Sequence, residues 1–366
     1  MVLYSCGYHS GEEKADLKID VIIPVYKPGP ELFTLLDKLE NQTVPVQKII
    51  LMNTESGLGK VGNQKRENQK RENQGAACRG ENDLNGQGTR NTAREDVGGS
   101  WKKLTEGVDF SARYPNTEVH HISKQEFDHG GTRHQGVQYS DADIFVMMTQ
   151  DAMPVDSLLV ERLTAHLTGK AASAYARQLP GEDSSEFERA SRIFNYPEVS
   201  RCKTVADLEI LGIKTFFCSN VCAAYRRDVY EELGGFIRHT IFNEDMIYAA
   251  AVIKAGYAVS YEAQAQVIHA HNYTNIQQLR RNFDLGVSQA DHPEVFGAVA
   301  SESEGKKLVT GTWQYLKERK RLYKFPGFCV QCAFKYAGYL LGKHYKKLPH
   351  SLVMKITTNK EYWGAV

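Results

Sequence analysis

Ile19 to Val25 is an apolar run that stops at Pro24-Val25-Tyr26-Lys27-Pro28, the pattern of a buried strand delivered into a turn. Leu32, Leu35, Leu36 and Leu39 follow at helical spacing. Lys48 to Asn53, Glu118 to Ile122 and Asp143 to Thr149 are three further strands, with a helical stretch over 132–140 before the last. Strands alternating with helices predict an α/β fold with a mostly parallel, Rossmann-like sheet between helices. Between Gly57 and Ser100 the pattern collapses: aromatics are absent and Asn63 to Gln74 repeats the pentad Asn-Gln-Lys-Arg-Glu. Such a segment buries too little apolar surface to offset its ordering entropy, so it is expected to be a disordered insertion.

Further on, the pattern predicts a helix near 155–168, a strand over Ala172 to Arg177 and a polar stretch through 205. A short helix, Asp228 to Leu233, closes at Gly234-Gly235. A longer one runs from Glu244 to Ala255 with Asn243 as its N-cap and Gly256 just past its end, and strands Ala258 to Glu262 and Gln266 to His269 follow. Beyond about residue 300 the chain turns helical and basic.

A chain of 366 residues has ample length for a sizeable core. Its seven cysteines, at 6, 78, 202, 218, 222, 329 and 332, make no disulfide framework and predict a reduced, intracellular protein. No run approaches a membrane span, and a net charge of +1 gives no global attraction to nucleic acid. From Lys317 to Lys347, nine Lys or Arg with a single acid are interleaved with Phe325, Phe328, Phe334, Tyr336, Tyr339, Leu340 and Leu341. That mixture suits an anionic membrane surface, and equally a helix packed on the body or on a second subunit of a homodimer.

The chemistry concentrates in two acidic places. Asp151 ends the apolar run Ile144 to Met148 at Thr149-Gln150-Asp151, where open α/β sheets place their ligands. Glu244-Asp245 opens a helix, where acids also serve simply to complement the dipole. His269 and His271 share one face of a strand.

Taken in order, Ile22-Ile23-Pro24-Val25-Tyr26, Thr149-Gln150-Asp151, Gly234-Gly235-Phe236 with Asn243-Glu244-Asp245, and Gln277-x-x-Arg280 resemble family 2 glycosyltransferases of the inverting GT-A type. Phe127-Asp128-His129-Gly130-Gly131-Thr132-Arg133 resembles the rhamnosyltransferase branch, which uses dTDP-L-rhamnose. The resemblance implies an N-terminal tail over 1–18, a GT-A catalytic domain over 19–295, divided near 210 into nucleotide-sugar and acceptor halves, and a C-terminal helical extension over 296–366.

It further implies that Asp151 holds a divalent cation, Mg²⁺ or Mn²⁺, against the donor diphosphate with help from His271, and less from His269. Asp245 is then the base that takes the acceptor proton and Glu244 orients it. Pro24, Val25, Tyr26, Asn53, Glu55, Arg133 and Gln150 contact the donor, Arg133 through phosphate. Gly234, Gly235, Phe236, Gln277 and Arg280 border the acceptor. Gln150 and Thr149 stand where the family has an Asp-x-Asp motif, and Arg281 where it has Trp.

The function so implied is transfer of L-rhamnose from dTDP-L-rhamnose to a hydroxyl of a growing, lipid-linked polysaccharide, in the cytoplasm and at the inner membrane face. Three alternatives stay open: another donor such as a UDP-hexose, a sugar nucleotidyltransferase, whose phosphate loop Gly130-Gly131-Thr132-Arg133 imitates, and a non-catalytic glycan-binding subunit. That phosphate loop would follow the first strand, and here it comes about a hundred residues later.

Overall fold

The computed structural model describes residues 17–55, 99–297 and 302–364. The expected disorder of 57–100 lies outside them, except that Gly99 and Ser100 open the helix Gly99–Thr105. Strands β1 (Ile19–Tyr26), β2 (Lys48–Glu55), β3 (Thr117–Ser123), β4 (Ile144–Met148), β5 (Met153–Pro154), β6 (Ala171–Leu179), β7 (Arg201–Lys203), β8 (Cys222–Arg226) and β9 (Ala258–Ile268) form one sheet. The helices that matter for the site are α1 (Glu31–Glu40), α2 (His129–Gln138), α3 (Leu159–Thr164), α4 (Glu186–Asn195), α5 (Glu244–Lys254), α6 (Asn275–Asp291), α7 (Glu302–Glu318), α8 (Phe325–Lys343), α9 (His350–Ile356) and α10 (Lys360–Trp363).

The sheet order is β3-β2-β1-β4-β8-β6-β9-β5, with β7 also on β9. β3, β2, β1 and β4 are parallel, as the alternation predicts, and β8 runs antiparallel to both β4 and β6. The chain leaves β1 for β2 on one side and returns as β4 on the other. This is a topological switch point, and the carboxyl ends of β1 and β4 border the crevice it opens.

Both faces of the sheet are covered because both are apolar. Ile22, Ile50, Phe145, Met147 and Tyr225 pack into one core cluster with Tyr230, Phe236 and Tyr248. Val21, Ile23, Leu51 and Val146 pack into another with Leu32, Leu35, Leu36 and Leu39 of α1.

Four local expectations are corrected. The helix expected over 155–168 is the six-residue α3, because Met153–Pro154 pairs with β9 first. The two strands expected after residue 258 are one, β9, whose partner register on β6 jumps from Glu262 to Gln266 at a bulge. The polar stretch before 205 contains α4, whose Phe187, Ala190 and Phe194 recur at helical spacing among charged residues. Cys202 is disulfide-bonded while Cys218, Cys222, Cys329 and Cys332 are free, so the chain is not wholly reduced.

The basic, aromatic C-terminal stretch packs on the body. A side chain at Gly338 or Gly342 of α8 would stand 2.1 Å from the carbonyl oxygen of Leu279 or Phe283 on α6, so only glycine permits this close crossing. Among the described residues no helix is long and apolar enough to cross a membrane.

Candidate active site

Asp151 follows β4 and would be far from the end of β9 but for β5. The pair Met153↔Ile268 draws the Asp151 turn across the ends of β8 and β6 to the residues just after β9. There Asp151 Oδ2 lies 3.2 Å from His271 Nε2 and 3.6 Å from His269 Nε2. All three ligand atoms fall within 4.8 Å of one another. Asp151 caps no helix: α3 begins after Leu158 without a side-chain cap.

The histidines are oriented from behind. His269 is 7% exposed, and its Nδ1 lies 3.0 Å from Gln178 Oε1, which can only accept, so Nδ1 carries a hydrogen and the ring is held with Nε2 toward Asp151 and His271. Arg192 of α4 donates to the same Gln178 oxygen, and Gln178 Nε2 donates to Ser219 Oγ at 2.9 Å. Burial pushes the Asp151 carboxyl up, but the two imidazoles outweigh it and hold it well below the usual carboxylate range. One carboxylate and two imidazoles converging on a point form a donor set that fits a divalent cation, and the imidazoles favour Mn²⁺ over Mg²⁺.

The second acidic centre is built around Asn220, just before β8. Its backbone N–H donates to Asp245 Oδ2 at 3.0 Å and its amide Nδ2 to Glu244 Oε1 at 3.0 Å, while Tyr225 donates its hydroxyl to Asn220 Oδ1 at 2.7 Å. Met246 N–H donates to the other Asp245 oxygen at 2.8 Å. Glu244 therefore aligns with Asp245 through Asn220. Burial, and then the Glu244 charge, push Asp245 up to about 7, a value suited to accepting a proton near neutrality. Burial also raises Glu244, but Arg133, His129 and Asn220 outweigh it and keep it ionised. Ser219 and Asn220 adjoin, so one short segment supports both centres.

Several expected residues hold different posts. Arg133 is 7% exposed and pairs with Glu244 at 3.2 Å while donating to His129 O at 2.9 Å, so in this structure its charge is set against an acid. Asn53 and Glu55 share one face of β2, where both reach His121 at 3.0 Å; Thr54 alternates to the opposite face. Gln150 uses its whole amide on Tyr26, accepting from its N–H at 2.9 Å and donating to its carbonyl at 3.0 Å. It clamps β1 to β4 at the switch point. Pro24 is half-buried, Val25 buried and Tyr26 41% exposed beside that clamp.

Gly234 and Gly235 turn the chain at φ 79° and 73°, and Phe236 is 1% exposed, edge-on to Tyr225 and Tyr230, so it anchors its loop in the core. Gln277 closes the capping box of α6 with Thr274, and Arg280 is exposed on the same helix. Arg281, at the family's Trp position, lies 4.8 Å over the Phe242 ring and 5.6 Å over Tyr273. Asn243 holds the N-cap position of α5 as expected but makes no side-chain cap bond: it sits at φ 65° and donates to Ser288 Oγ at 3.1 Å. That left-handed backbone is tolerated by asparagine and aims the acids that follow.

Gly130 explains the glycine pair of α2, since a Cβ there would stand 1.8 Å from Ile237 O. Asp128 caps α2 through the N–H groups of Gly130 and Gly131 and also accepts from Thr240 N at 3.1 Å, so the motif ties the loop before α5 to the helix.

Sequence reasoning missed Asn220, Gln178 and Arg192. The first carried a faint signal, a Ser-Asn pair directly before an apolar strand; the other two carried none.

Comparison with known proteins agrees with this architecture. The model of glycosyl transferase family 2 matches residues 99–234. The chain is 34% identical over 355 residues to the O-antigen chain rhamnosyltransferase RfbN of Salmonella typhimurium, covering 96% of this chain and 97% of that one. It is 39% identical over 250 residues to the O-antigen chain rhamnosyltransferase WbaN of Salmonella anatum, covering 67% of this chain and 78% of that one. A solved mannosyltransferase of Pyrobaculum calidifontis, in complex with GDP-Man and Mn²⁺, superposes with a TM-score of 0.53 at 11% identity, covering 91% of this chain and 89% of that one, a likeness of fold. The chain belongs to glycosyltransferase family 2, alongside these O-antigen chain rhamnosyltransferases.

Proposed function

We propose that the protein is an inverting rhamnosyltransferase that moves L-rhamnose from dTDP-L-rhamnose to a hydroxyl of a lipid-linked polysaccharide acceptor. The observation that carries this reading is the pair of unlike carboxylates flanking one support, Ser219-Asn220. One is held ionised among imidazoles and the other is raised to about 7. Asp151, His269 and His271 would hold a divalent cation, which when bound offsets negative charge on the departing diphosphate. Asp245 takes the proton of the acceptor hydroxyl as its oxygen attacks the anomeric carbon, and Asn220 and Glu244 hold Asp245 in line. That the chain's relatives are O-antigen chain rhamnosyltransferases supports rhamnose as the sugar.

Attachment to the inner membrane face is part of the same proposal. Val330, Tyr336 and Leu340 of α8 and Tyr323 just before it remain exposed among basic residues, which supports docking to an anionic surface.

Thermal-shift screening of dTDP-rhamnose, UDP-hexoses and GDP-mannose with Mn²⁺ or Mg²⁺ tests the donor. Selective stabilisation by dTDP-rhamnose with Mn²⁺ is expected; stabilisation by a UDP-sugar alone overturns it. Release of pyrophosphate from a nucleoside triphosphate would instead identify a nucleotidyltransferase.

A further inference from the structure

After α9 the chain returns to the strand ends as a strap. Thr357 Oγ1 donates to Asp284 Oδ1 at 2.7 Å and Thr358 N to Asp284 Oδ2 at 2.9 Å, and Asp284, on α6, is 1% exposed. Asn359 Nδ2 reaches His129 Nε2 at 3.0 Å and Ile241 O at 3.2 Å. Lys124, just after β3, pairs with Glu361 at 2.7 Å, and the Tyr362 ring stacks on His239 at 4.6 Å and 9°.

Between strap and strand ends lies a cavity of about 310 Å³, with Tyr26, Thr54, Lys124 and Phe127 on one side and Asn359 and Tyr362 on the other. Its size falls in the range of small-molecule sites, roughly 300–1,000 Å³.

Two observations point to a ligand. Thr54 is 5% exposed, and its buried Oγ1 has no hydrogen-bond partner among the described residues, an open position for a polar group. The cavity is also tied to the Asp151 turn, because Tyr26, which lines it, is clamped through its backbone by Gln150, the residue before Asp151.

Aromatic rings with hydroxyl and amide groups suit a flat heterocycle on a sugar. The lysine is already paired with Glu361, so a diphosphate is served better on the Asp151 side.

We infer that the C-terminal strap, residues 357–362, is a wall of the donor site and that Tyr362 and Asn359 bind the pyrimidine nucleoside of the donor. The inference rests on the nucleotide-sugar reading above and adds to it a donor contact from outside the strand ends. The strap contacts the nucleoside and leaves the diphosphate to the cation cluster.

The test is calorimetry on the full chain with Mn²⁺, using dTDP and inorganic pyrophosphate as separate probes. Tyr362→Leu should weaken dTDP by roughly tenfold, the size of a lost base–aromatic stack. Pyrophosphate binding should stay unchanged, and Tyr362→Phe should restore dTDP to wild type. Asn359→Ala, at a half-exposed position, should show the same selectivity at about threefold, and it decides the matter where Tyr362→Leu does not fold. Folded variants that bind dTDP like wild type, or that lose dTDP and pyrophosphate equally, overturn the strap assignment. Wild type that binds pyrophosphate but neither dTDP nor UDP overturns the nucleotide-sugar reading itself, and the strap assignment with it.

Discussion

Asp151 and Asp245 are both half-buried carboxylates at the ends of regular elements, and their surroundings drive them in opposite directions. Around Asp151 the neighbours are imidazoles, which offset burial and favour the anion. Around Asp245 the nearest charge is another acid, Glu244, which adds to burial and favours the protonated form. The contrast teaches a division of labour: a permanent anion suits holding a cation, and a carboxylate poised near neutrality suits taking a proton. Two chemically identical side chains acquire separate roles from what the fold sets beside them.

The strongest way to break this comparison is Asp245→Asn. With Mn²⁺, dTDP and folding retained, transfer should fall by roughly two to four orders of magnitude; near-normal turnover in a radiolabelled rhamnose assay removes Asp245 from the base role. Next, Arg133→Met strands a buried Glu244 and should cost about 3–5 kcal/mol of stability by urea denaturation. A loss of donor affinity without loss of stability would instead return Arg133 to the diphosphate.

On the other side of the comparison, Gln178→Ala releases His269 from behind, and Mn²⁺ affinity measured by calorimetry should fall roughly 10–100-fold. Unchanged affinity would mean that His269 is not a ligand.

The smallest effect concerns pH. Because Asp245 is raised to about 7, its basic form fills only as pH rises through that value, so transfer should climb across neutrality. Glu244→Gln removes the charge that helps raise it, and the rising limb should move to lower pH. A limb that stays in place would show that Glu244 does not set the proton affinity of Asp245.

How far the sequence reached follows from the range of each interaction. Asp151 was legible because an apolar run ends on it, and Glu244-Asp245 because a glycine turn and a helix start surround them. The parallel half of the sheet was legible for the same local reason. The antiparallel course of β8 was not, since direction is set by which strands meet in space.

Thr54 lines the cavity while Asn53 and Glu55 reach His121, a split set by strand alternation, which turns on a single residue. The pairing of Arg133 with Glu244 was not legible, because Glu244 is remote in sequence. Asn220 and Gln178 earn their roles wholly from partners that the sheet order brings together.

The two-residue strand β5 has a consequence for biosynthesis. It pairs with β9, so Asp151, His269 and His271 cannot come together until Ile268 to His271 have left the ribosome. A nascent chain long enough to contain the parallel strands and Asp151 therefore lacks the Asp151–His269–His271 cluster, and premature termination before that point leaves a fragment without it.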